Sequence, residues 1–362
     1  MHHYSLRRYW VKTIILFIIA LAIKLFSLNH TWVEQFYSTG VYIFISCALR
    51  ILTGWLPFSI GDVLYAAAVI WIIVKVIRLL AALFRRSITK KSFVRGVLKT
   101  INLLLFIYII FYTVWGLNYD RKGIAAQLNL QLQNETMQDL TALTDSLLLK
   151  VNTVRRSLGY HVQYESYQKV FSKSEEAYRR AHQQYPFLDY RFQSIKSSLY
   201  STLGNYLGFS GYYNPFSGEA QVCTKNVPAF LLPYITCHEM AHQLGYGTED
   251  EANFTSYLTT KASRDQRFQY SLYFDLFNYA NNTLYVYDSI AARNNYKLLD
   301  TLVKKDIAEY RRFLLQYSNP LEPLITALYG NYLKANNQPE GVETYSRVVA
   351  WLIAYQKKYG TL

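Results

Sequence analysis

Residues 228–257 read PAFLLPYITCHEMAHQLGYGTEDEANFTSY. Within them, His238-Glu239-Met240-Ala241-His242 forms an H-E-x-x-H motif. On a helix, positions i and i+4 lie one above the other on one face, so both imidazoles can hold one metal ion. Glu239 is rotated about 100° from His238 and can reach a water beside that metal without ligating the metal itself. Pro233 suits a first helical turn and Gly245 stands just past the last apolar position, so the motif sits on a short helix with a defined stop. A shuffled chain of this composition would show the pattern roughly once in 200 tries.

A zinc site open for catalysis needs a third protein ligand. Gly245 and Gly247 let the chain reverse, and a new helix is expected to begin at Thr248. Thr248 and Glu251 have capping-box spacing, which would occupy Glu251 structurally. Glu249 is then the expected third ligand, with Glu251 as the alternative and Asn253, one turn on, as a supporting partner.

Outward from the motif, residues 204–224 are dense in Gly, aromatic and turn residues, which predicts loops and short strands. Gly218–Cys223 is expected either as an edge strand able to pair with an extended peptide or as an ordinary sheet strand. Tyr212, Tyr213 and Tyr246 are candidate donors to a developing oxyanion. Helices are expected from Thr136 to Leu158, over Ser172–Gln184, and almost continuously after residue 254, the last over Gly341–Tyr359. His161 and His182 lie among polar residues and read as surface. Cys223 and Cys237 either pair in an oxidising compartment or stay free.

The N-terminal third is different in kind. Residues 1–117 hold thirteen Lys and Arg against only Glu34 and Asp62, so most of the overall +14 belongs to an apolar segment. No nucleic-acid-binding motif accompanies this charge, and the partner it predicts is a lipid bilayer. Membrane spans are expected over 11–28, 60–84 and 101–117, with 31–57 interfacial or re-entrant. Lys75 and Arg78 fall near the end of the second span, where long stems can snorkel, and Trp115 and Tyr119 would form an interfacial belt after the third. Arg85, Arg86, Lys90, Lys91, Arg95 and Lys99, without one intervening acid, place the loop between spans two and three in the cytoplasm together with the N-terminus. Residues 1–117 are thus read as a multi-pass anchor in the inner, cytoplasmic membrane, and 118–362 as a periplasmic, extracytoplasmic domain.

His238-Glu239-x-x-His242 followed by Glu249-x-x-Ala252 resembles the zincin metallopeptidases of the gluzincin type. The wider strings GYYNPFSGEAQV (211–222) and PYITCHEMAHQLGYGTEDEANF (233–254) resemble a family of uncharacterised bacterial membrane proteins that join N-terminal membrane helices to an H-E-x-x-H domain. The resemblance implies a mainly α, membrane-anchored protein carrying an α-rich α+β zincin-like domain with a small β element. It implies Zn²⁺ held by His238, His242 and Glu249, with Glu239 as general base for peptide-bond hydrolysis on a substrate at the outer face of the membrane. Only six residues separate His242 from Glu249, fewer than in many gluzincins. The rival readings are a non-catalytic binding or assembly protein that keeps the metal as a structural staple, and a scaffold whose membrane helices carry the function. Glu239 argues against the staple, because a structural site has no use for a general base.

Overall fold

The computed structural model describes residues 3–131, 135–336, 338 and 347–360. Four helices come first: α1 (His3–Ser27), α2 (His30–Gly54), α3 (Ile60–Phe84) and α4 (Lys90–Val114). Each is long and apolar enough to cross a membrane. The cationic stretch before the third expected span is mostly helix rather than loop, so α4 begins eleven residues before position 101. Thr89 and Ser92 cap its start reciprocally, and Lys and Arg are good helix formers. It also stops short of 117, where Gly116–Asp120 tightens into a buried 3₁₀ turn.

Helix α2 covers most of 31–57 and is wound in three pieces, with Val33–Val41 as a π-helix between two α-helical parts. It is fastened to the C-terminal part of the chain along its whole length. Next to its start, His30 Nδ1 donates to the Asp120 carbonyl at 2.6 Å. In its middle, Ser46 Oγ donates to the Gln243 carbonyl at 2.6 Å. At its end, Lys196 Nζ caps the Gly54 carbonyl at 3.1 Å and also reaches that of Leu56. A helix held at both ends on one body lies along that body. Its other face presents Phe36, Phe44, Leu52 and Trp55, all exposed. Trp115 and Tyr119 are not an open aromatic belt. They are buried with Val33, Tyr37, Tyr42 and Leu117 in a small core shared by α2 and the residues after α4, so the expected boundary at 117 falls inside a packed cluster.

The first turn of α3 is equally engaged. Glu219 accepts from the amides of Gly61 at 2.6 Å and Ile60 at 3.1 Å, satisfying donors that a helix N-terminus leaves open. Asp62 accepts from the Leu199 amide at 2.7 Å and from the Tyr212 hydroxyl.

The rest of the chain runs α5 (Gly123–Gln127), α6 (Met137–Ser157), α7 (Tyr167–Gln184), β1 (Ile195–Ser197), α8 (Ser201–Leu207), β2 (Gly211–Asn214), β3 (Glu219–Val222), α9 (Leu232–Gln243), α10 (Glu249–Ala262), α11 (Gln266–Tyr287), α12 (Ser289–Leu298), α13 (Thr301–Tyr317), α14 (Glu322–Ala335) and α15 (Arg347–Tyr359). The protein is mainly helical. Helix α6 starts at the expected Thr136 cap and stops before Gly159, which is left-handed at φ 76°. Helix α7 begins five residues before Ser172, and positions 341–346 of the expected last helix lie outside the described residues.

The strands form one sheet in the order β1-β3-β2, with β1 parallel and β2 antiparallel to β3. The register pairs Ile195 with Ala220 and Tyr212 with Gln221. β3 is therefore the central strand, so of the two readings of Gly218–Cys223 the structure takes the ordinary sheet strand over the edge; β2 and β1 are the edges. Cys223 and Cys237 are buried and unpaired, so no disulfide links them. Helix α10 is buried from Glu249 to Thr260 and forms the centre of the domain, between α9 and α7 and against α11 and α15. Two of its buried hydroxyls are satisfied by carbonyls: Thr259 Oγ1 donates to that of Thr255 at 2.9 Å, and Ser256 Oγ to that of Tyr234 at 2.9 Å.

Candidate metal centre

Helix α9 starts with Pro233 in its first turn and ends in a Schellman motif. Gly245 is left-handed at φ 83°, its amide donates to the His242 carbonyl at 3.0 Å, and the Tyr246 amide donates to that of Ala241 at 3.2 Å. A Cβ on Gly245 would come within 2.8 Å of both Asn118 Oδ1 and the Tyr42 ring. This tight stop turns the chain back so that the first residue of α10, Glu249, faces His238 and His242.

One donor atom from each of these three side chains lies within 4.8 Å of the others. His238 Nε2 is 3.1 Å from Glu249 Oε2, and His242 Nε2 is 4.0 Å from Glu249 Oε1. Donors bound tetrahedrally about 2.0–2.1 Å from zinc sit about 3.4 Å apart, a value these separations bracket. The imidazoles are oriented for the task. His238 Nδ1 bonds Asn253 Oδ1 at 2.9 Å, and His242 Nδ1 bonds the Tyr246 carbonyl at 2.7 Å. Those bonds fix the ring orientations and turn both Nε2 atoms toward the Glu249 carboxylate. Asn253 thus holds the supporting place expected of it. The donor set fits zinc and leaves a fourth position for water.

Glu251 is brought elsewhere. Its Oε1 accepts from the Ile124 amide at 3.0 Å, and a Cβ on Gly123 would sit 1.4 Å from that oxygen. Thr248 makes no side-chain cap bond, so the expected capping box does not form either.

Burial acts on every group here. It pushes the Glu239 carboxyl up to about 8, with His238 opposing and Glu249 adding to the effect. It works to raise Glu249 too, but the hydrogen bond and charge of His238, then His242 and Tyr329, hold that carboxyl down at about 2. For His238, burial is outweighed by Glu249 and the imidazole rises to about 8; for His242 burial dominates and it falls to about 4. Glu239 is buried, its Oε2 has no hydrogen-bond partner among the described residues, and its carboxyl lies against β2, where a Cβ on Gly211 would come within 2.5 Å of Oε1.

Two of the three expected oxyanion donors are otherwise occupied: Tyr212 donates to Asp62, and Tyr246 donates to Gln127 Oε1 at 2.9 Å. Tyr213 is half-buried against Trp115, 5.2 Å between ring centroids, and its hydroxyl has no hydrogen-bond partner among the described residues. His161 is exposed and His182 half-buried, both away from the centre. Tyr329 of α14 escaped the sequence reading: its hydroxyl donates to Glu249 Oε1 at 2.7 Å. Eighty residues and no spacing rule connect the two. Asp275 escaped it as well, a half-buried carboxyl on α11 that burial pushes up to about 8, with the charge of His238 opposing.

Side chains from the apolar helices finish the C-terminal end of α9. Trp115 Nε1 donates to the His242 carbonyl at 3.0 Å, and Tyr42 donates to that of Gln243 at 3.0 Å beside Ser46. Glu34 pairs with Arg121 at 2.8 Å, and Arg121 in turn donates to the Gly245 carbonyl at 3.0 Å. The motif helix is not one of the four apolar helices, yet its last two carbonyls, those of His242 and Gln243, accept from residues in or next to them.

No curated protein matches the chain, and neither does any solved structure. Residues 37–353, from the π-helical part of α2 into α15, match a family described as a protein of unknown function, DUF3810. That span takes in α2, α3 and α4 together with His238, His242 and Glu249, and the chain belongs to the DUF3810 family.

Proposed function

We propose that the protein is a membrane-anchored zinc metallopeptidase with a zincin-like domain, holding its centre on the extracytoplasmic side of the inner membrane and cleaving a peptide or protein at the outer membrane face. The observation that carries this is the convergence of two imidazoles and one carboxylate beside a buried Glu239 whose Oε2 has no hydrogen-bond partner among the described residues. His238, His242 and Glu249 hold the ion. Zinc bound there supplies a Lewis-acidic centre that polarises the scissile carbonyl and acidifies water. Glu239, raised by burial into the range useful near neutral pH, takes the proton of the attacking water and delivers it to the leaving amine. The β2 edge beside Glu239 is placed to align an extended substrate by backbone hydrogen bonds.

Orientation is supported by where helix ends lie. His30 just after α1, Ser59 at the start of α3 and Trp115 after α4 all bond the C-terminal domain. Arg7 and Arg8, and the cluster from Arg85 to Lys99, fall toward the opposite ends, as the positive-inside rule requires of a cytoplasmic side.

The test uses the full chain in nanodiscs, with elemental analysis and a quenched-fluorescence peptide library. About one zinc per chain, retained in Glu239→Gln while hydrolysis is lost, is the expected result. Wild-type protein without stoichiometric metal would overturn the proposal. Zinc present with no hydrolysis of any peptide would favour the non-catalytic metal staple.

A further inference from the structure

Helix α14 is poorly packed for a helix of the C-terminal domain: of its residues only Gly330 and Leu333 are buried. Leu321, Leu324, Leu328 and Tyr332 form a stripe at i, i+3, i+7 and i+11, exposed by 62%, 58%, 61% and 42%. A helix surrounded by water turns such a stripe toward the core. Here the stripe points away from it, and the position of the helix says what covers it. Tyr332 meets the hydroxyl of Tyr119 at 3.0 Å, and Tyr112, in the last turn of α4, donates to Asn336 Oδ1 at 3.3 Å. The C-terminal end of α14 is thus tied to the end of an apolar helix whose own Leu104, Phe106 and Ile107 are exposed. Along its length α14 carries only Glu322 and Lys334 as charges.

The same helix reaches the metal centre. Tyr329 donates to Glu249 Oε1 at 2.7 Å, and just past the helix Gln338 Oε1 accepts from the Glu249 amide at 3.0 Å. We propose that α14 is a lid seated in the lipid surface: Leu321, Leu324 and Leu328 lie in the bilayer interface, and that seat sets the hold of Tyr329 on Glu249. Tyr329 is a positioning residue, fixing one carboxylate oxygen so that the other faces His238. This second half rests on the zinc reading above; the lipid seat does not.

The experiment uses the full chain in phosphatidylcholine/phosphatidylglycerol vesicles, with Cys47→Ala to remove the one native thiol that is not buried. Nitroxides are placed at Leu324→Cys, Leu328→Cys and Lys334→Cys, and their relaxation by oxygen and by a water-soluble nickel chelate is compared. Positions 324 and 328 are expected to be oxygen-accessible and nickel-shielded, and 334 nickel-accessible. Nickel access at 324 and 328 would overturn the lipid seat. So would spin–spin broadening at those two labels, which would put a second copy of the chain there. In the second arm, zinc Kd is measured in vesicles and in detergent micelles. Wild type is expected to bind about tenfold more tightly in vesicles, a difference that Tyr329→Phe abolishes. Equal affinities in the two media would overturn the coupling, while a chain that binds no zinc would fail the metal reading and leave the nitroxide result standing.

Discussion

The indole Nε1 of Trp115 donates to the main-chain carbonyl of His242 at 3.0 Å, joining the residue that ends α4 to the second histidine of the motif. The H-E-x-x-H helix therefore has part of its C-terminal cap supplied from the apolar segment. Trp115→Phe keeps most of the packing and removes the donor. One such bond is worth about 1 kcal/mol, so zinc affinity is expected to fall about fivefold with helicity unchanged. Isothermal titration with zinc and circular dichroism of the full chain check this. An unaltered affinity would mean that the Gly245 amide and the Tyr42 hydroxyl hold that carbonyl without Trp115.

A chain cut to residues 118–362 loses Trp115, Tyr42 and Ser46 together and strips the lining from the small core around Tyr119. It is expected to aggregate or to melt without a cooperative transition, measured by size-exclusion chromatography and thermal denaturation. A monomeric, zinc-binding fragment would show the apolar helices to be dispensable for the centre.

Glu249 and Glu251 are separated by two residues and by opposite fates. Glu249→Gln is expected to weaken zinc binding by more than the 10–100-fold typical of losing a supporting partner. Glu251→Gln keeps an oxygen for the Ile124 amide and is expected to retain zinc at wild-type stoichiometry while shifting the melting temperature. Elemental analysis of the two variants decides, and the reverse pattern would reassign the ligand.

Gly211→Ala places a methyl group within 2.5–2.8 Å of the carboxyl end of Glu239. Zinc content is expected to stay near one per chain while kcat falls at least tenfold, because the base is pushed off its line to the water. The readout is kcat against metal stoichiometry, and an unchanged kcat would sink the role assigned to β2.

The metal-free protein is expected to lose stability as pH rises from about 6.5 to 8. His238 is raised to about 8 by Glu249, so its stabilisation is full below its unfolded pKa and is lost as pH climbs through 8. Glu239, at about 8, and Glu251, at about 7, hold protons that their unfolded counterparts have shed, which acts in the same direction. Glu249 is depressed and its contribution is constant over this window, while the depressed His242 opposes the trend weakly until about one pH unit above 6.5, where its contribution levels off. Zinc competes with the His238 proton, so the stabilisation it adds should grow over the same window. Melting curves of stripped and loaded protein at each pH test both slopes; a stripped protein that melts higher at pH 8 than at 6.5 would contradict this.

Local chemistry made part of this structure legible. The H-E-x-x-H spacing, the stop at Gly245 and the Thr136 cap all act within a turn or two, and each stands where the sequence put it. What the sequence could not carry were partners far away in the chain. Glu251 is diverted by Ile124, 127 residues upstream, so its spacing from Thr248 misled. Tyr329 reaches Glu249 across 80 residues. β3 was taken for a possible edge because strands of three and four residues show too little alternation to announce their neighbours. The cationic stretch before position 101 was read as a loop because its charge speaks to topology, while helix formation there depends on the Thr89–Ser92 cap.

The corner between α2 and α3 has a consequence in time. Its two helix ends are completed by Lys196 and Glu219, which lie 142 residues after Gly54 and 158 after Gly61. At roughly 5–20 residues per second, synthesis reaches those side chains about 10–30 s after the corner itself has been made. Throughout that interval its carbonyls and amides must borrow partners from water or from headgroups. The corner is therefore among the last parts of the molecule to mature, and the strands that end its wait are the same ones that bring β2 up to Glu239.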